Sequence, residues 1–554
     1  MKFLKVFFNS LLCGIVFCAL LALLILDINI NLSFQPLFFG QLTLFLMLSY
    51  GLLITGALFT AFFIIQFFSG RRLNIAFISP SFLSLNFSLL FILFFLIARA
   101  NYRYFDSFFD HELRNIFNTQ SLALFLLVLL GPLVFYRFHH YKKNVLFYLI
   151  YFLLFGAGFS YLVWKRLDYS APAAPTKVAY MEAKKIRNKL TVIGMEGLSF
   201  DFIIPLIAEE KLPNFSWLLE EGCWGKLESF SPNTPIVLNT SFNTGKYPSR
   251  HRRLSETVYR LLNFKQNISV TPRYIFFKQL TRLGILNIEV SPPESHTKNI
   301  WEIFSENESI SLLRDWPYSF RIDTPSPKSE TLLNQFFKNQ IFEQNDIFEI
   351  AKKVFYLDAE FEESVSREIA ETDPQLVYFL LKGLDTVEAN FYKYNFPSAF
   401  GDLEQEEINK YNSVIERYYQ YYDQVIGKYL ASLKEDELLV VYSPHGIEPL
   451  PYWKRIIEWI LGEAEISAYH DNAPEGVIFF FGKEIIHGKN IEGMRLIDMA
   501  PTLLNYLGLP VGKDMDGVVN SSMLRPEYKI ENPVLYISSY EEIDIKPPQP
   551  KPDK

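Results

Sequence analysis

The sequence predicts an α-helical transmembrane bundle followed by an α/β ectodomain with a mostly parallel, helix-covered central sheet. Charges are sparse up to about residue 164, where Phe, Leu and Ile dominate, whereas charges are spread throughout the chain after Lys185. From Lys189 onward, short β-rich runs alternate with helical runs, as in a parallel sheet covered by helices. The chain of 554 residues is also too long for one hydrophobic core, which indicates two or three structural units.

Five apolar runs approach the roughly 20 residues that cross a hydrocarbon core of about 30 Å. They cover approximately residues 6–30, 42–68, 77–98, 121–136 and 145–164, and the fourth is the shortest. A cleaved signal peptide is the alternative for residues 1–25. The four later runs, and the lack of a distinct small-x-small cleavage site, favour a transmembrane span there instead.

Basic residues in the short loops predict the orientation, because Lys and Arg are retained on the cytoplasmic side. They lie before the first run, after the second, and between the fourth and fifth: Lys2, Lys5, Arg71, Arg72, Arg137, Lys142 and Lys143. With five crossings, everything after Trp164 lies outside. We therefore expect a multi-pass protein of the cell membrane with an extracytoplasmic, periplasm-type ectodomain.

Charge and cysteine content argue against a nucleic-acid-binding protein and against disulfide bonds in the ectodomain. The net charge of −7 argues against nucleic acid as a partner. Cys13 and Cys18 lie in the first apolar run and Cys223 is alone in the polar part, so no disulfide can form within the ectodomain. The apolar runs also carry few charged residues, which disfavours a transporter.

The predicted domains are a membrane domain at 1–165, a linker at 166–187, the ectodomain at 188–530 and a tail at 531–554. The linker contains a stretch rich in Pro and Ala at 170–176, and the Pro-rich and Lys-rich end at 546–554 is predicted to be disordered. The ambiguous stretch 253–297 is interpreted as an insertion over the site.

The apolar patterning predicts the main elements of the ectodomain. Strands are expected at 190–194, 225–230, 310–313, 376–381, 438–442 and 476–481. Helices are expected at 212–221, 403–433 and 494–506. Ligands collect at the carboxyl ends of strands in open parallel sheets. Glu196, Asp385, His445 and the loop 231–234 all follow predicted strands, so they are expected on one rim of the sheet.

A helix is predicted to begin at Thr234, because Thr is a good N-cap and Pro235 suits the first helical turn. A hydroxyl at this point meets free backbone N–H groups and the positive end of the helix dipole, which favour a bound phosphate and a developing alkoxide. The alternative is that Thr234 only caps the helix.

Several motifs occur in one order along the polar part of the chain. They are Val192-Ile-Gly-Met-Glu-Gly, Thr234-Pro, Thr244-Gly-Lys-Tyr-Pro-Ser-Arg-His, Lys382-Gly-Leu-Asp, Pro444-His-Gly, His470 and Ile497-Asp-Met-Ala-Pro-Thr. Together they resemble the type I phosphodiesterase/nucleotide pyrophosphatase branch of the alkaline phosphatase superfamily. The resemblance implies an alkaline-phosphatase-like fold and two divalent metals, usually zinc, bridged by a Ser or Thr nucleophile.

By position, the resemblance implies Thr234 as the catalytic nucleophile. It assigns Asp385 and His470 to the first metal, and Glu196 and His445, with Thr234, to the second. Two such ions clamp the attacking and leaving oxygens of an in-line displacement.

The chain departs from the family pattern at several positions. Ala389 stands where the family has a histidine, Pro444 stands where it has an aspartate, and Glu196 is one methylene longer than the usual aspartate. Zinc normally needs at least three protein ligands, so each site lacks one. Glu388 is a possible substitute ligand. It lies three residues after Asp385, and residues i and i+3 share one face of a helix.

Each candidate also has a structural alternative: Asp385 as a helix cap, His445 as a hydrogen-bonded core residue, His470 as a solvated residue and Glu388 as a surface charge. The tyrosine-rich stretch 418–422 is interpreted as a helix face against the core or the membrane rather than as a binding site.

The lost ligands favour a membrane-anchored, non-catalytic binding or scaffold protein that needs no metal. The alternative is an active phosphodiesterase or phosphotransferase that uses zinc or another divalent metal. Five spans before such an ectodomain resemble the layout of lipoteichoic acid synthases and phosphoethanolamine transferases. That analogy implies membrane lipid and a lipid-linked phosphoester as partners.

Overall fold

A computed structural model describes the chain at residues 1–70, 75–140, 145–169, 176–184, 186, 188–261, 266–273, 286–290, 297–314, 325–337, 347–401, 403–452, 454–456, 466–470, 473 and 475–546. The Pro/Ala-rich linker stretch 170–175, the basic residues Arg71, Arg72, Lys142 and Lys143, and the chain end 547–554 lie outside these residues. The chain forms two compact units. The first comprises Met1–Ala174 and Pro248–Glu294, and the second comprises Pro175–Tyr247 and Ser295–Lys554.

The helices are, in chain order, α1 (Lys2–Ile28), α2 (Pro36–Leu46), α3 (Leu52–Ser69), α4 (Pro80–Tyr104), α5 (His111–His140), α6 (Val145–Asp168), α7 (Phe200–Ala208), α8 (Pro213–Glu221), α9 (Pro235–Thr244), α10 (Pro248–His251), α11 (Ile300–Glu306), α12 (Pro327–Phe337), α13 (Phe348–Thr372), α14 (Gly383–Asn395), α15 (Gln405–Tyr411), α16 (Val414–Ser432), α17 (Met499–Tyr506) and α18 (Pro526–Glu531).

The strands are, in chain order, β1 (Ala179–Glu182), β2 (Lys189–Met195), β3 (Cys223–Glu228), β4 (Thr257–Leu261), β5 (Asn267–Ile268), β6 (Leu286–Val290), β7 (Ser311–Arg314), β8 (Leu376–Leu381), β9 (Glu437–His445), β10 (Glu448–Pro449), β11 (Ala468–Tyr469), β12 (Glu475–Phe481), β13 (Lys489–Arg495), β14 (Val511–Gly512), β15 (Tyr536–Ile537) and β16 (Ile543–Lys546).

Apolar helices dominate the first unit. Among the described residues, four segments are long and apolar enough to cross a membrane: Lys2–Ile28, Pro36–Ser69, Pro80–Tyr104 and Tyr148–Asp168. The second joins α2 to α3 through one π-helical turn. These segments match the first, second, third and fifth apolar runs, while the fourth run falls within α5. The chain thus has several apolar helices that could anchor it in a membrane, and the count of five spans remains a prediction.

A buried polar network links three helices of the first unit. Arg166 Nε lies 3.5 Å from Asp27 Oδ1, and both side chains are almost fully buried. Tyr102 donates to the other Asp27 oxygen at 2.8 Å, and Arg166 also donates to the carbonyls of Leu26 and Leu32. A buried charge needs such partners, so α1, α4 and α6 are held together by this network.

The segment Pro248–Glu294 belongs to the first unit, although it interrupts the second in sequence. It contains α10 and a three-stranded antiparallel sheet of order β5-β4-β6. Asn29 at the end of α1 accepts hydrogen bonds from the backbone of Ser269 and Val270 and donates to the Val270 carbonyl. The role of this segment as an insertion over the site remains a prediction.

The second unit is built on a seven-stranded sheet of order β13-β3-β12-β9-β2-β8-β7. Neighbouring strands are parallel except at β12, which runs antiparallel to both β9 and β3. The mostly parallel, helix-covered sheet predicted from the sequence is confirmed. All six strands predicted from apolar runs are present in this sheet.

Two hydrophobic clusters cover the two faces of the sheet. Strand β8 is buried at every residue, as expected for a strand covered by helices on both sides. Val377 and Phe379 face one cluster with α13 and α16, while Tyr378 and Leu380 face the other with α11 and α17. The tyrosines of the 418–422 stretch are buried in the first cluster, which agrees with a helix face against the core.

Some predicted bounds differ from the observed ones. The expected strand at 225–230 is β3 at Cys223–Glu228, and the expected helix at 403–433 is divided into α15 and α16 around Asn412 and Ser413. The expected helix at 494–506 begins only at Met499, because Met494 and Arg495 pair with β3 as the end of β13. In the predicted tail, β15 pairs with β14 and β16 pairs with β1.

Candidate metal centre

Three neighbouring parallel strands bring candidate residues to one rim of the sheet. Glu196 directly follows β2, Lys382 directly follows β8, and His445 ends β9. The ends of β2 and β8 are in register, since Met195 lies opposite Leu381 and Glu196 N donates to the Leu381 carbonyl at 2.9 Å. The parallel arrangement therefore sets these three side chains next to one another.

Asp385, His445 and His470 form a compact group of possible metal ligands. One ligand atom from each lies within 4.8 Å of the others. His470 Nδ1 is 3.4 Å from Asp385 Oδ1, and the two imidazole rings have centroids 4.7 Å apart. Asp385 Oδ1 and His445 Nε2 are buried without a hydrogen-bond partner. Since buried polar atoms normally have partners, this group fits a bound cation.

Local contacts explain why these side chains meet. Asp385 lies in the first turn of α14, so the helix begins just after the strand end. Ser467 donates to the Ala389 carbonyl of α14 through its backbone at 2.7 Å and through its hydroxyl at 3.1 Å. These bonds hold β11 against α14, and His470 directly follows β11. Ala389 stands in place of the family histidine. Its carbonyl helps to position His470 by accepting these hydrogen bonds.

Burial and neighbouring charges shift the pKa values of Asp385 and His445. Burial would raise the pKa of Asp385, but the nearby His470, His445 and Lys382 lower it to about 2. Burial lowers the pKa of His445 to about 4, helped by His470 and Lys382 and opposed by Asp385. At neutral pH, Asp385 is therefore an anion and His445 a neutral imidazole, which are the forms that bind metals.

Glu196 lies beside this group but has its own partners. Asn239 donates to Glu196 Oε1 at 2.9 Å, and Lys382 Nζ lies 3.5 Å from the same oxygen. Tyr442 donates to the Asn239 side-chain oxygen at 2.8 Å, which fixes the orientation of that amide. Burial raises the pKa of Glu196, while Lys382 and Asn239 act against this rise. Glu196 is not among the three clustered ligands.

Glu388 is buried, not the surface charge expected as the alternative to a ligand. Tyr419 donates to its Oε1 at 3.0 Å, while its Oε2 has no hydrogen-bond partner. Burial raises the pKa of Glu388 well above its usual value, and the negative charge of Asp385 raises it further. It is not a member of the compact group, so its role as a substitute ligand remains a prediction.

Thr234 occupies the N-cap position of α9, as predicted. Its side chain makes no capping hydrogen bond to the helix, so capping does not occupy the hydroxyl. The same helix carries Asn239, the partner of Glu196. Helix α9 thus carries both the candidate nucleophile and a hydrogen-bond donor to Glu196.

The donor set fits one divalent ion better than two. One carboxylate and two imidazoles are a common protein ligand set for zinc with an open fourth position. In the part of the chain that the structure describes, no other group of three such side chains comes together. The second predicted ligand set remains a prediction. Glu196 lies beside Lys382, and the Pro444 side chain offers no ligand atom. His445 groups with Asp385 and His470.

Sequence reasoning missed three residues that organise the centre. Lys382 belongs to a motif but had no predicted role, Asn239 had no predicted role, and Tyr419 was predicted only as part of a helix face. A lysine at the carboxyl end of a buried strand, three residues before a candidate ligand, is a usable signal for Lys382. Asn239 and Tyr419 come from helices distant in sequence, so their contacts follow only from the packing.

Comparison with known proteins identifies a family. A model of the type I phosphodiesterase / nucleotide pyrophosphatase family matches residues 190–491. A phosphonate monoester hydrolase from Silicibacter pomeroyi is a similar solved structure, with a TM-score of 0.37 and 16% sequence identity over 61% of this chain and 76% of that chain. No curated protein gave a match. Because the family model spans more than half of the sequence, the chain belongs to the type I phosphodiesterase/nucleotide pyrophosphatase family.

Proposed function

We propose that the second unit is a metal-dependent phosphodiesterase or phosphotransferase with Thr234 as nucleophile, rather than the scaffold that the sequence favoured. The supporting observation is the compact group of Asp385, His445 and His470, in which two buried ligand atoms lack hydrogen-bond partners. A domain that had lost metal binding would gain stability by pairing or replacing such atoms. Their retention favours a functional centre.

Asp385, His445 and His470 would hold the ion, which supplies a Lewis-acid charge for phosphoryl oxygens. Thr234 stands at the N-terminus of the ten-residue helix α9. Its hydroxyl oxygen would bond to the phosphorus while the P–O bond to the leaving alcohol breaks, and the departing alkoxide would take up the hydroxyl proton. Water, or an acceptor alcohol in a phosphotransferase, would then displace the threonine oxygen from phosphorus. The dipole of this helix favours a bound phosphate at its N-terminus. Glu196 and His445 are buried, and burial strengthens the electrostatic interactions that they make.

The proposed substrate class is a lipid-linked phosphoester. The apolar helices of the first unit favour a membrane location, and an ectodomain on the extracytoplasmic side follows from the basic loops in the sequence. Lipid head groups would then be the phosphoesters available at the surface where the enzyme is anchored.

A test uses the full chain in detergent, reloaded with zinc or manganese, and a chromogenic phosphodiester. Thr234→Ala is expected to lower kcat at least about 100-fold without changing the metal content, and Thr234→Ser should restore part of the rate. Thr240→Ala on the same helix is the control, because its hydroxyl bonds only the Ile236 carbonyl. Turnover that persists in Thr234→Ala would contradict the proposal.

A non-catalytic binding domain is the second candidate. Ala389 and Pro444 favour it, since neither side chain can replace the ligand that the family carries. This candidate predicts a folded protein that binds a phosphoester and no metal. Elemental analysis of the purified chain separates the two, because the proposed enzyme must hold an ion that His470→Ala removes.

A further inference from the structure

We infer that the ammonium group of Lys382 replaces the second divalent cation of the family, so that the centre holds one ion together with a fixed lysine. The inference rests on the proposed function, because it concerns the same centre. It assigns Lys382 as a positioning residue for Glu196 and as a permanent positive charge beside the metal ligands.

The contact between Lys382 and Glu196 carries the inference. Lys382 Nζ lies 3.5 Å from Glu196 Oε1, and the two side chains are only 10% and 2% exposed. Glu196 is the residue that occupies the family position of a second-metal carboxylate. Its remaining hydrogen bond, from Asn239, is made to the same oxygen. The Glu196 carboxylate, which would bind a second cation, is therefore neutralised by the ammonium group of Lys382.

Lys382 also interacts electrostatically with the rest of the centre. Its charge lowers the pKa of Glu196 and of Asp385 by stabilising their carboxylates, and it lowers the pKa of His445 by repelling the imidazolium. A cation in this position repels a second divalent ion and partly balances the buried carboxylates.

Of the other metal-binding side chains expected at a second site, one is missing and one groups with the first site. Pro444 is buried at the end of β9 and offers no donor atom. His445, which the resemblance assigned to the second metal, has its Nε2 unpartnered, while its Nδ1 contacts the Gly446 carbonyl. The free nitrogen belongs to the group with Asp385 and His470. One ion thus takes three ligands, and Glu196 takes the lysine.

In this arrangement, the positive charge of the centre comes from one metal ion and one lysine. The metal and the lysine together supply two positive groups on one rim, as two metals do in the family pattern. A phosphoryl group next to Thr234 would meet one exchangeable cation and one that cannot dissociate. Chelators are therefore expected to remove only part of the positive charge.

The first experiment counts ions. The full chain in detergent is stripped with a chelator and titrated with Zn²⁺ by calorimetry, and the bound metal is measured by elemental analysis. We expect one ion per chain, an affinity at least about 100-fold lower in His470→Ala, and a change of less than about 10-fold in Glu196→Gln. Two ions per chain would overturn the inference and leave the proposed function standing, whereas no bound ion would overturn both.

The second experiment attempts to restore the second site. Pro444→Asp alone is expected to keep one ion, because Lys382 remains in place, whereas Lys382→Ala combined with Pro444→Asp should bind a second, weaker ion. Lys513→Met removes an exposed lysine outside the centre and is the control, with one ion expected. A second ion in Pro444→Asp alone would exclude Lys382 as the substitute. If these variants unfold, the titrations of Glu196→Gln and His470→Ala decide the question.

Discussion

At the scale of single residues, Gly197 shows how closely the loop after β2 packs against α14. Its φ of +98° lies in the region that favours glycine. A Cβ atom at this position would lie 2.8 Å from Glu388 Oε2 and 3.0 Å from the backbone nitrogen of Asp385. The glycine therefore allows the loop after β2 to approach the first turn of α14.

Gly197→Ala is expected to lower the free energy of unfolding by about 2–4 kcal/mol, as the sum of backbone strain and overpacking. It should also weaken zinc binding, because Asp385 must move. Gly508→Ala is the matched control, since its φ is +74° but no atom lies within 4 Å of the added Cβ. Thermal unfolding and zinc titration of both variants test this, and equal effects on zinc affinity would contradict it.

The ligands themselves were predictable from the sequence, but their partners were not. Asp385, His445 and His470 were identified from motifs and strand ends, and they do lie together. The burial of Glu388 depends on Tyr419 of α16, and the charge beside Glu196 depends on the first residue after β8. Such contacts join elements far apart in the chain, which local patterns do not report.

At the scale of elements, Lys246 connects the end of α9 to the C-terminal segment. Its ammonium is buried and lies 2.9 Å from Glu541 Oε1 and next to the carboxylate of Asp514. Burial would raise the pKa of Glu541, but Lys246 lowers it to about 2. Glu541 also accepts a hydrogen bond from the backbone of Lys298. Three separate segments therefore depend on one lysine.

Lys246→Met is expected to destabilise the protein by about 3–5 kcal/mol at neutral pH, because it leaves buried carboxylates without their cation. The lowered pKa of Glu541 adds stability that is present above about pH 4.5 and is lost as the pH falls towards about 2. Denaturant unfolding between pH 2 and 7 measures this slope, which should be smaller in the variant. Lys513→Met, at an exposed position, should match the wild type, and an unchanged slope in Lys246→Met would refute the assignment.

Element boundaries were predicted best for strands that are buried on both faces. The strand at Leu376–Leu381 was predicted at its observed bounds, because every one of its residues is apolar and buried. Strand β13 was missed, since it is an edge strand that exposes several of its residues and contains Gly493. The break between α15 and α16 also escaped prediction, because Asn412 and Ser413 interrupt the helix without a Pro or Gly.

At the scale of the whole molecule, the side of the membrane is the main expectation to test. A reporter that is active only outside the cytoplasm, fused after Glu182, should be active. A fusion after Ser69 should be silent, because the basic residues that follow it are predicted to be cytoplasmic. Activity of the second fusion, or silence of the first, would contradict the predicted orientation. Expression of both fusions is compared on immunoblots.

The division of the chain into units was predictable only in part. The chain length and the contrast between an apolar first third and a charged remainder indicated two or three units, and the structure forms two compact units. The assignment of Pro248–Glu294 to the first unit was not visible, because its strands are short and its composition is ordinary. Its hydrogen bonds to Asn29 and Asn101 arise from tertiary packing alone.

The pairing of Arg166 with Asp27 has a consequence for biosynthesis. Arg166 lies 140 residues after Leu26, whose carbonyl it also binds, so the ribosome makes the acid long before its neutralising partner. An apolar helix that carries an unmatched carboxylate settles poorly in lipid. Nascent chains that stop before α6 are therefore expected to remain with the insertion machinery or to be degraded.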